Sequence, residues 1–191
     1  CSYEAAALMA RAAEENGAPK GLIACMQHIS LQGSQELMGH KYTALILATG
    51  GTPMVRAAHS TGKPAYGVGP GNVPVYVDRS ADIEKAARYI VASKSFDCST
   101  ICASEQAVVA DFPIASRLME LMKREGAYFT SKEETQKLRT LLFHPDGAMN
   151  TATVGKPAPY LAALAGIQVP KDTRVLVCPL ERVGKEEPLS R

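Results

Sequence analysis

The sequence lacks an apolar run of about 18 residues, the length that a membrane-spanning helix requires, and it lacks the pattern of a secretory signal peptide. It also lacks a strong charge bias, since 21 lysines and arginines nearly balance 19 aspartates and glutamates, and no basic block occurs. These absences argue against a membrane and against nucleic acid as a partner. Internal repeats and low-complexity tracts are absent as well.

The sequence also lacks cysteines and histidines at the spacing of a metal site. The five cysteines are an odd number, and the Cys98–Cys102 pair has no second pair or neighbouring histidine to complete a zinc site. We therefore predict no metal and a reduced, cytoplasmic set of thiols. Cys25 and Cys178 each lie in an apolar, strand-like run, and we interpret them as small core residues.

Helical patterns and short apolar runs alternate along the chain, which predicts an α/β fold with mainly parallel sheets. The predicted helices cover residues 2–16, 32–39, 53–58, 81–93, 112–125, 131–142 and 157–165. The predicted strands cover residues 22–26, 43–48, 65–68, 73–77, 106–110 and 174–178. Ser80 is a predicted N-cap, and Ser131 with Glu134 has the pattern of a capping box.

Residues 96–106 place Cys102 between glycine-rich, strand-like segments and a β-branched run at residues 107–110. A thiol at such a junction can be exposed in a cleft while the flanking elements hold its backbone, which a cysteine nucleophile requires. The Cys102 N–H can also face the oxygen of a carbonyl under attack, a contact worth about 3 kcal/mol. Cys98 is the rival nucleophile, and inert packing is the alternative for both.

Two glycine-rich stretches can approach a ligand closely. Thr49, Gly50 and Gly51 follow a predicted strand and precede a predicted helix, so a phosphate or a dinucleotide suits them, with an ordinary turn as the alternative. Residues 67–74 contain three glycines and two prolines. Such a side-chain-poor wall suits a flat ring, and a structural hairpin or crossover loop is the alternative.

Together these stretches resemble the aldehyde dehydrogenase superfamily, in particular its CoA-acylating branch, as in the aldehyde dehydrogenase half of bifunctional aldehyde–alcohol dehydrogenases. The matching stretches are residues 46–51, 62–64, 68–74, 93–97 and 101–106. The resemblance implies the end of a Rossmann-like NAD-binding domain over residues 1–97. It implies the start of the α/β catalytic domain of the aldehyde dehydrogenase fold over residues 98–191, so we interpret the chain as an internal fragment of a longer enzyme.

The resemblance implies a role for each candidate site residue. Cys102 matches the catalytic cysteine, and the residues matching the NAD-binding loops are Thr49, Gly50, Gly51, Gly69 and Pro70. Hydrolytic members carry a glutamate in the second of these loops, where it activates water. Residues 66–75 contain no acidic residue here, so a thiol such as coenzyme A can take the acyl group instead.

The predicted function is therefore the reversible conversion of a small aldehyde, NAD and coenzyme A to acyl-CoA and NADH through a thioester on Cys102. A hydrolytic aldehyde dehydrogenase that yields a carboxylic acid, and a catalytically incomplete structural fragment of either enzyme, are the alternatives. The resemblance further implies a homo-oligomer in the cytoplasm or in a bacterial microcompartment, with a fused or separate alcohol dehydrogenase as partner. One departure is that acylating relatives usually have Asn-Gly where this chain has Cys98-Ser99, and oxidation could join Cys98 to Cys102.

Overall fold

A computed structural model describes residues 2–69, 71–184 and 186–190. The helices formed by these residues are α1 (Ser2–Glu15), α2 (Leu31–Gly39), α3 (Thr52–His59), α4 (Ile83–Ser95), α5 (Phe112–Arg124), α6 (Lys132–Leu142) and α7 (Ala158–Leu164). The strands are β1 (Ile46–Thr49), β2 (Ala65–Val68), β3 (Pro74–Val77), β4 (Ala107–Ala110), β5 (Ala127–Phe129) and β6 (Val175–Val177). Each described pair of strands, β1 with β2, β3 with β4 and β5 with β6, is parallel. The predicted α/β fold with parallel strands is therefore confirmed. No helix among the described residues has both the length and the apolar character needed to cross a membrane.

The chain divides into two compact units, residues 1–70 and residues 71–191. In the first unit β1 pairs with β2, from Ile46 opposite Ala65 to Thr49 opposite Val68. Its small core contains Ile46, Ala48 and Ala58. Residues alternate between buried and exposed along β1, so this strand covers the core with one face only.

In the second unit α4 and α5 pack beside β3 and β4. The buried core residues of this layer are Val77, Ala87, Ile90, Val91, Ile114, Leu118, Leu121, Met122, Ala127 and Val175. In α5 the core positions are spaced four, three and one residues apart, which is the apolar stripe of an amphipathic helix. This core contains residues from both sides of position 97. The boundary between the two compact units therefore differs from the predicted functional boundary between residues 97 and 98. The functional boundary stays a prediction.

The prediction of a buried strand over residues 22–26 is wrong. The segment has no regular structure, Leu22 is 65% exposed and Cys25 is exposed, so Cys25 is not a core residue. No strand among the described residues pairs with the segment, and an apolar run without a hydrogen-bonded neighbour does not form a sheet. Cys178, in contrast, is partly buried against the core of α6 and α7, as predicted.

Two local features also differ from the prediction. The N-cap of α4 is Asp82, whose Oδ1 accepts the Lys85 N–H at 3.0 Å, whereas the Ser80 hydroxyl donates to Asp78. The helix consequently begins at Ile83 rather than Ala81. The sequence does not predict β5, because three residues are too few to show an alternating pattern.

The predicted capping box at the start of α6 is confirmed. Ser131 Oγ accepts the Glu134 N–H at 3.2 Å, and Glu134 Oε2 accepts the Ser131 N–H at 2.8 Å. The Tyr128 hydroxyl donates to the other carboxylate oxygen, Oε1, at 2.9 Å. These donors, the Ser131 N–H first among them, hold the pKa of Glu134 below its usual value.

Replacing the capping serine provides a test of this helix start. Ser131→Ala leaves the Glu134 N–H without its acceptor, so we expect a loss of about 1 kcal/mol in the free energy of unfolding, measured by urea titration. The matched control is Ser116→Ala at an exposed position of α5, where the higher helix propensity of alanine should leave stability equal or slightly higher. Equal urea midpoints for the parent and Ser131→Ala would contradict the cap assignment.

Candidate active site

Cys102 lies in a tight turn immediately before β4. The Ser104 N–H and the Ser104 hydroxyl both donate to the Ile101 carbonyl oxygen, at 3.1 and 2.8 Å. Cys102 and Ala103 therefore occupy the two central positions of the turn. Ser104 is 5% exposed, whereas Cys102 is exposed. The turn thus presents the thiol to solvent from a fixed backbone, the arrangement expected of a nucleophile.

The loop at the start of the second unit runs beside this turn. The Gln106 N–H donates to the Val73 carbonyl at 2.9 Å, which extends the pairing of β3 with β4 toward Cys102. A Cβ built on Gly71 would lie 4.0 Å from the Cys102 carbonyl oxygen. The adjacent Asn72 side chain donates to the Ser190 carbonyl at 2.8 Å, so this loop is held on both sides.

Three consecutive residues before the turn have left-handed backbone. The φ angles are 48° at Asp97, 51° at Cys98 and 66° at Ser99. Residues with a Cβ rarely adopt this region, and glycine, asparagine and aspartate tolerate it best. Cys98 and Ser99 therefore keep a conformation that glycine or asparagine would adopt more readily. The Thr100 N–H, which donates to the Asp97 carbonyl at 3.2 Å, helps to hold it.

Lys94, Glu105 and Gln106 form a partly buried polar cluster beside the cysteine loop. The Lys94 ammonium donates to Gln106 Oε1 at 2.8 Å. Burial lowers the pKa of Lys94, and the Glu105 carboxylate acts in the opposite direction. Glu105 Oε2 is buried and has no hydrogen-bond partner among the described residues. Sequence motifs do not reveal this cluster. Lys94 lies at the end of α4, whereas Glu105 and Gln106 precede β4, and the two sites approach each other only in the folded chain.

The predicted cofactor-binding residues that the structure describes lie at the carboxyl ends of β1 and β2, in the first unit. The Gly50 N–H donates to the Val68 carbonyl at 3.1 Å, which brings the Thr49–Gly51 turn next to the stretch that contains Gly69. Gly51 is the N-cap of α3 and contributes no capping side chain. Thr49, Gly51 and Gly69 are exposed. Pro70 lies outside the described residues, and Cys102 belongs to the other unit.

Gly67 lets α3 pack closely on β2. A Cβ at this position would overlap with Val55 Cγ1 and would lie 2.8 Å from His59 Nε2. Val55 is β-branched and therefore stiff at χ1, so it cannot move aside freely. In contrast, a Cβ at Gly69 would meet no atom within 4 Å.

The described cysteines are Cys25, Cys98, Cys102 and Cys178, and none of them forms a disulfide with another. Cys98 is half-buried, so Cys102 is the more accessible thiol of the two rival nucleophiles. Within the described part of the chain, no three histidine, cysteine, aspartate or glutamate side chains come together in a way that could hold a metal ion.

Comparison with known proteins identifies the family. Residues 3–137 match the aldehyde dehydrogenase family. Aldehyde-alcohol dehydrogenase 2 of Entamoeba histolytica is 41% identical over 199 residues, which cover 100% of this chain and 23% of that protein. An acetylating aldehyde dehydrogenase from Geobacillus thermoglucosidasius has a crystal structure with a TM-score of 0.94 and 50% identity, and the match covers 99% of this chain and 42% of that one. The chain therefore belongs to the aldehyde dehydrogenase family, and the implied fold is confirmed.

A further solved structure carries a relevant ligand. It is the Rhodopseudomonas palustris propionaldehyde dehydrogenase with bound CoA and an acylated cysteine, which is 34% identical with a TM-score of 0.85. The match covers 95% of this chain and 41% of that one. This chain thus spans less than half the length of these solved relatives and about a quarter of the Entamoeba protein.

The close packing at Gly67 gives a stability prediction. Gly67→Ala should lower the free energy of unfolding by about 1–3 kcal/mol, because the new methyl group overlaps with Val55. Gly69→Ala is the matched control and should be neutral or stabilising by up to about 1 kcal/mol, since the methyl group meets open space and the unfolded chain loses freedom. Urea unfolding of both variants checks this, and equal losses would show that the contact between α3 and β2 is looser than described.

The left-handed backbone at Cys98 gives a second prediction. Cys98→Gly should be more stable than Cys98→Ala by about 1 kcal/mol, because only glycine adopts this conformation without a Cβ clash. At the exposed helical position Ser116 the order should reverse, with Ser116→Ala the more stable variant by about 1 kcal/mol. Thermal unfolding of the four variants measures both differences, and the same order at both positions would refute the left-handed assignment.

Proposed function

We propose that this chain carries the catalytic cysteine of a CoA-acylating aldehyde dehydrogenase. The reaction is the reversible conversion of an aldehyde, NAD and coenzyme A to acyl-CoA and NADH. The observation that supports this most directly is the exposed Cys102 on a hydrogen-bonded turn shortly before β4. The acylated cysteine in the Rhodopseudomonas relative and the name of the Geobacillus enzyme support the same chemistry.

Cys102 supplies the nucleophile in this proposal. Its thiolate attacks the aldehyde carbon, the carbon–sulfur bond forms, and the carbonyl electron pair moves to the oxygen to give the oxyanion of a hemithioacetal. The electron pair on this oxygen then re-forms the carbonyl as a hydride leaves the carbon, so that a thioester remains on Cys102. A second thiol attacks this thioester and expels the Cys102 thiolate, so the cysteine is regenerated. The NAD cofactor supplies the hydride acceptor when it is bound.

The end of β1 suits a dinucleotide. Gly50 and Gly51 have no side chains that would keep a ligand away, and Gly51 precedes α3 without a capping side chain. A diphosphate is favoured at such a helix start. We therefore propose that Thr49, Gly50 and Gly51, with Gly69 and Pro70, bind the cofactor. These residues precede the functional boundary between residues 97 and 98, and Cys102 follows it.

The acceptor of the acyl group is inferred from the absence of a base. Residues 66–75 contain no acidic side chain. Glu105, three residues after Cys102, has one carboxylate oxygen buried. Water therefore lacks the general base that would activate it, whereas a thiol needs less assistance because it ionises more readily. Transfer to coenzyme A is favoured over hydrolysis.

The same proposal extends to the protein's surroundings. The Entamoeba relative is named an aldehyde-alcohol dehydrogenase, which supports an alcohol dehydrogenase, fused or separate, as a partner that consumes or supplies the aldehyde. A homo-oligomeric state and a cytoplasmic location, free or within a microcompartment, belong to this proposal too.

Cysteine variants of the intact protein test the proposal. Cys102→Ala should lower CoA-dependent NADH formation by about 10³-fold or more, because the sulfur that forms the proposed thioester is removed. Cys98→Ala should retain activity. After incubation with acyl-CoA, peptide mapping should locate the acyl group on Cys102.

Two outcomes would overturn the proposal. Loss of activity in Cys98→Ala with retention in Cys102→Ala would transfer the nucleophile to Cys98. Steady NADH formation without coenzyme A, with a carboxylic acid as product, would establish the hydrolytic alternative.

A further inference from the structure

A single residue, Lys94, contacts both ends of the loop that carries Cys102. Lys94 lies in the last turn of α4, and its carbonyl oxygen accepts the Ser99 hydroxyl at 2.7 Å. Its ammonium donates to Gln106 Oε1 at 2.8 Å, on the far side of Cys102. The Gln106 N–H is in turn bonded to Val73, next to β3. The side chain and the backbone carbonyl of Lys94 therefore bridge the loop over residues 95–105.

The surroundings of Lys94 make this closure sensitive to substitution. The lysine is half-buried, and the neighbouring Glu105 has a buried oxygen without a hydrogen-bond partner among the described residues. A buried charge destabilises a protein unless an opposite charge or a hydrogen bond compensates it. Removing the Lys94 ammonium would leave the Gln106 amide oxygen without this donor and would remove a positive charge that acts on Glu105.

We propose that Lys94 is a positioning residue that fixes the direction of the Cys102 thiol through its hydrogen bonds to Ser99 and Gln106, which bridge the loop. This inference rests on the proposed role of Cys102 as nucleophile. The loop needs these hydrogen bonds because three of its residues have left-handed backbone, which persists only where contacts with the surrounding structure stabilise it. Lys94 acts through its neighbours and takes no part in bond formation.

Three variants of the intact protein separate positioning from a general effect of charge. Lys94→Met keeps the apolar stem and removes the ammonium. Lys94→Arg keeps a charged donor. Lys85→Met is the matched control, because Lys85 lies on the same helix and is exposed, with its ammonium 5.5 Å from the centre of the Tyr89 ring.

The primary measurement is the rate at which acyl-CoA acylates Cys102, followed by mass spectrometry of the peptide. Lys94→Met should lower this rate by about 10- to 100-fold, the effect expected when a nucleophile is displaced by about 1 Å. The loss should fall on kcat more than on KM for the aldehyde, because the substrate site keeps its own residues. Lys94→Arg should restore most of the rate, and Lys85→Met should match the parent.

Alkylation of Cys178 by iodoacetamide is the internal reference for folding, because this thiol is partly buried in a core of the same unit. Its rate should be the same in Lys94→Met and the parent. If Lys94→Met does not fold, Gln106→Leu removes the acceptor atom and leaves Lys94 beside Glu105. That variant should show the same selective loss at Cys102.

The outcomes distinguish the two proposals. Parent-like acylation of Cys102 in Lys94→Met, or a failure of Lys94→Arg to restore it, would overturn the positioning role and leave the nucleophile assignment intact. Slowed acylation of Cys102 together with faster alkylation of Cys178 would show a general structural role and would also overturn the positioning role. Acyl transfer that persists in Cys102→Ala would overturn the proposed function itself.

Discussion

The parallel pairing of β3 with β4 is the interaction on which the position of Cys102 depends. It continues past the strands through the bond from the Gln106 N–H to the Val73 carbonyl, so the cysteine loop ends at a defined point. The loop begins at a second fixed point, because Ile90 and Val91 bury α4 in the core shared with α5. A thiol between two anchored ends can be exposed without becoming mobile, which reconciles accessibility with precise placement.

The conformation of the loop is imposed by these anchors rather than by its own residues. Left-handed backbone at Cys98 and Ser99 is unfavourable for residues with a Cβ. Where Asn-Gly occupies these positions, local preference and anchoring favour the same conformation. In this chain anchoring must overcome local preference, so the hydrogen bonds to the Lys94 carbonyl and to the Asp97 carbonyl carry more of the stabilisation.

Sequence patterns predicted the features that depend on neighbours along the chain. The amphipathic stripe of α5 and the capping box at Ser131 are local, so their periodicity and spacing are visible directly. One error is local, since the N-cap of α4 is Asp82 rather than Ser80, but the larger errors concern long-range partners. Residues 22–26 have strand-like composition but no neighbouring strand among the described residues, and the Lys94–Gln106 contact joins positions that no periodicity relates. The exposed turn at Cys102 could be anticipated from the sequence, whereas the hydrogen bond from Lys94 to Gln106 that bridges its loop could not.

The burial of Glu105, the nearest carboxylate downstream of Cys102, bears on which nucleophile would complete the proposed reaction. A carboxylate that activates water must reach a water molecule beside the thioester, which requires an accessible oxygen. Glu105 is close in sequence to Cys102, but its Oε2 is buried and its charge interacts with the half-buried Lys94. Moving this carboxylate out toward water would also take it away from the Lys94 charge, which is unfavourable. The burial of Glu105 Oε2 therefore agrees with the proposed release of the acyl group to a second thiol rather than to water.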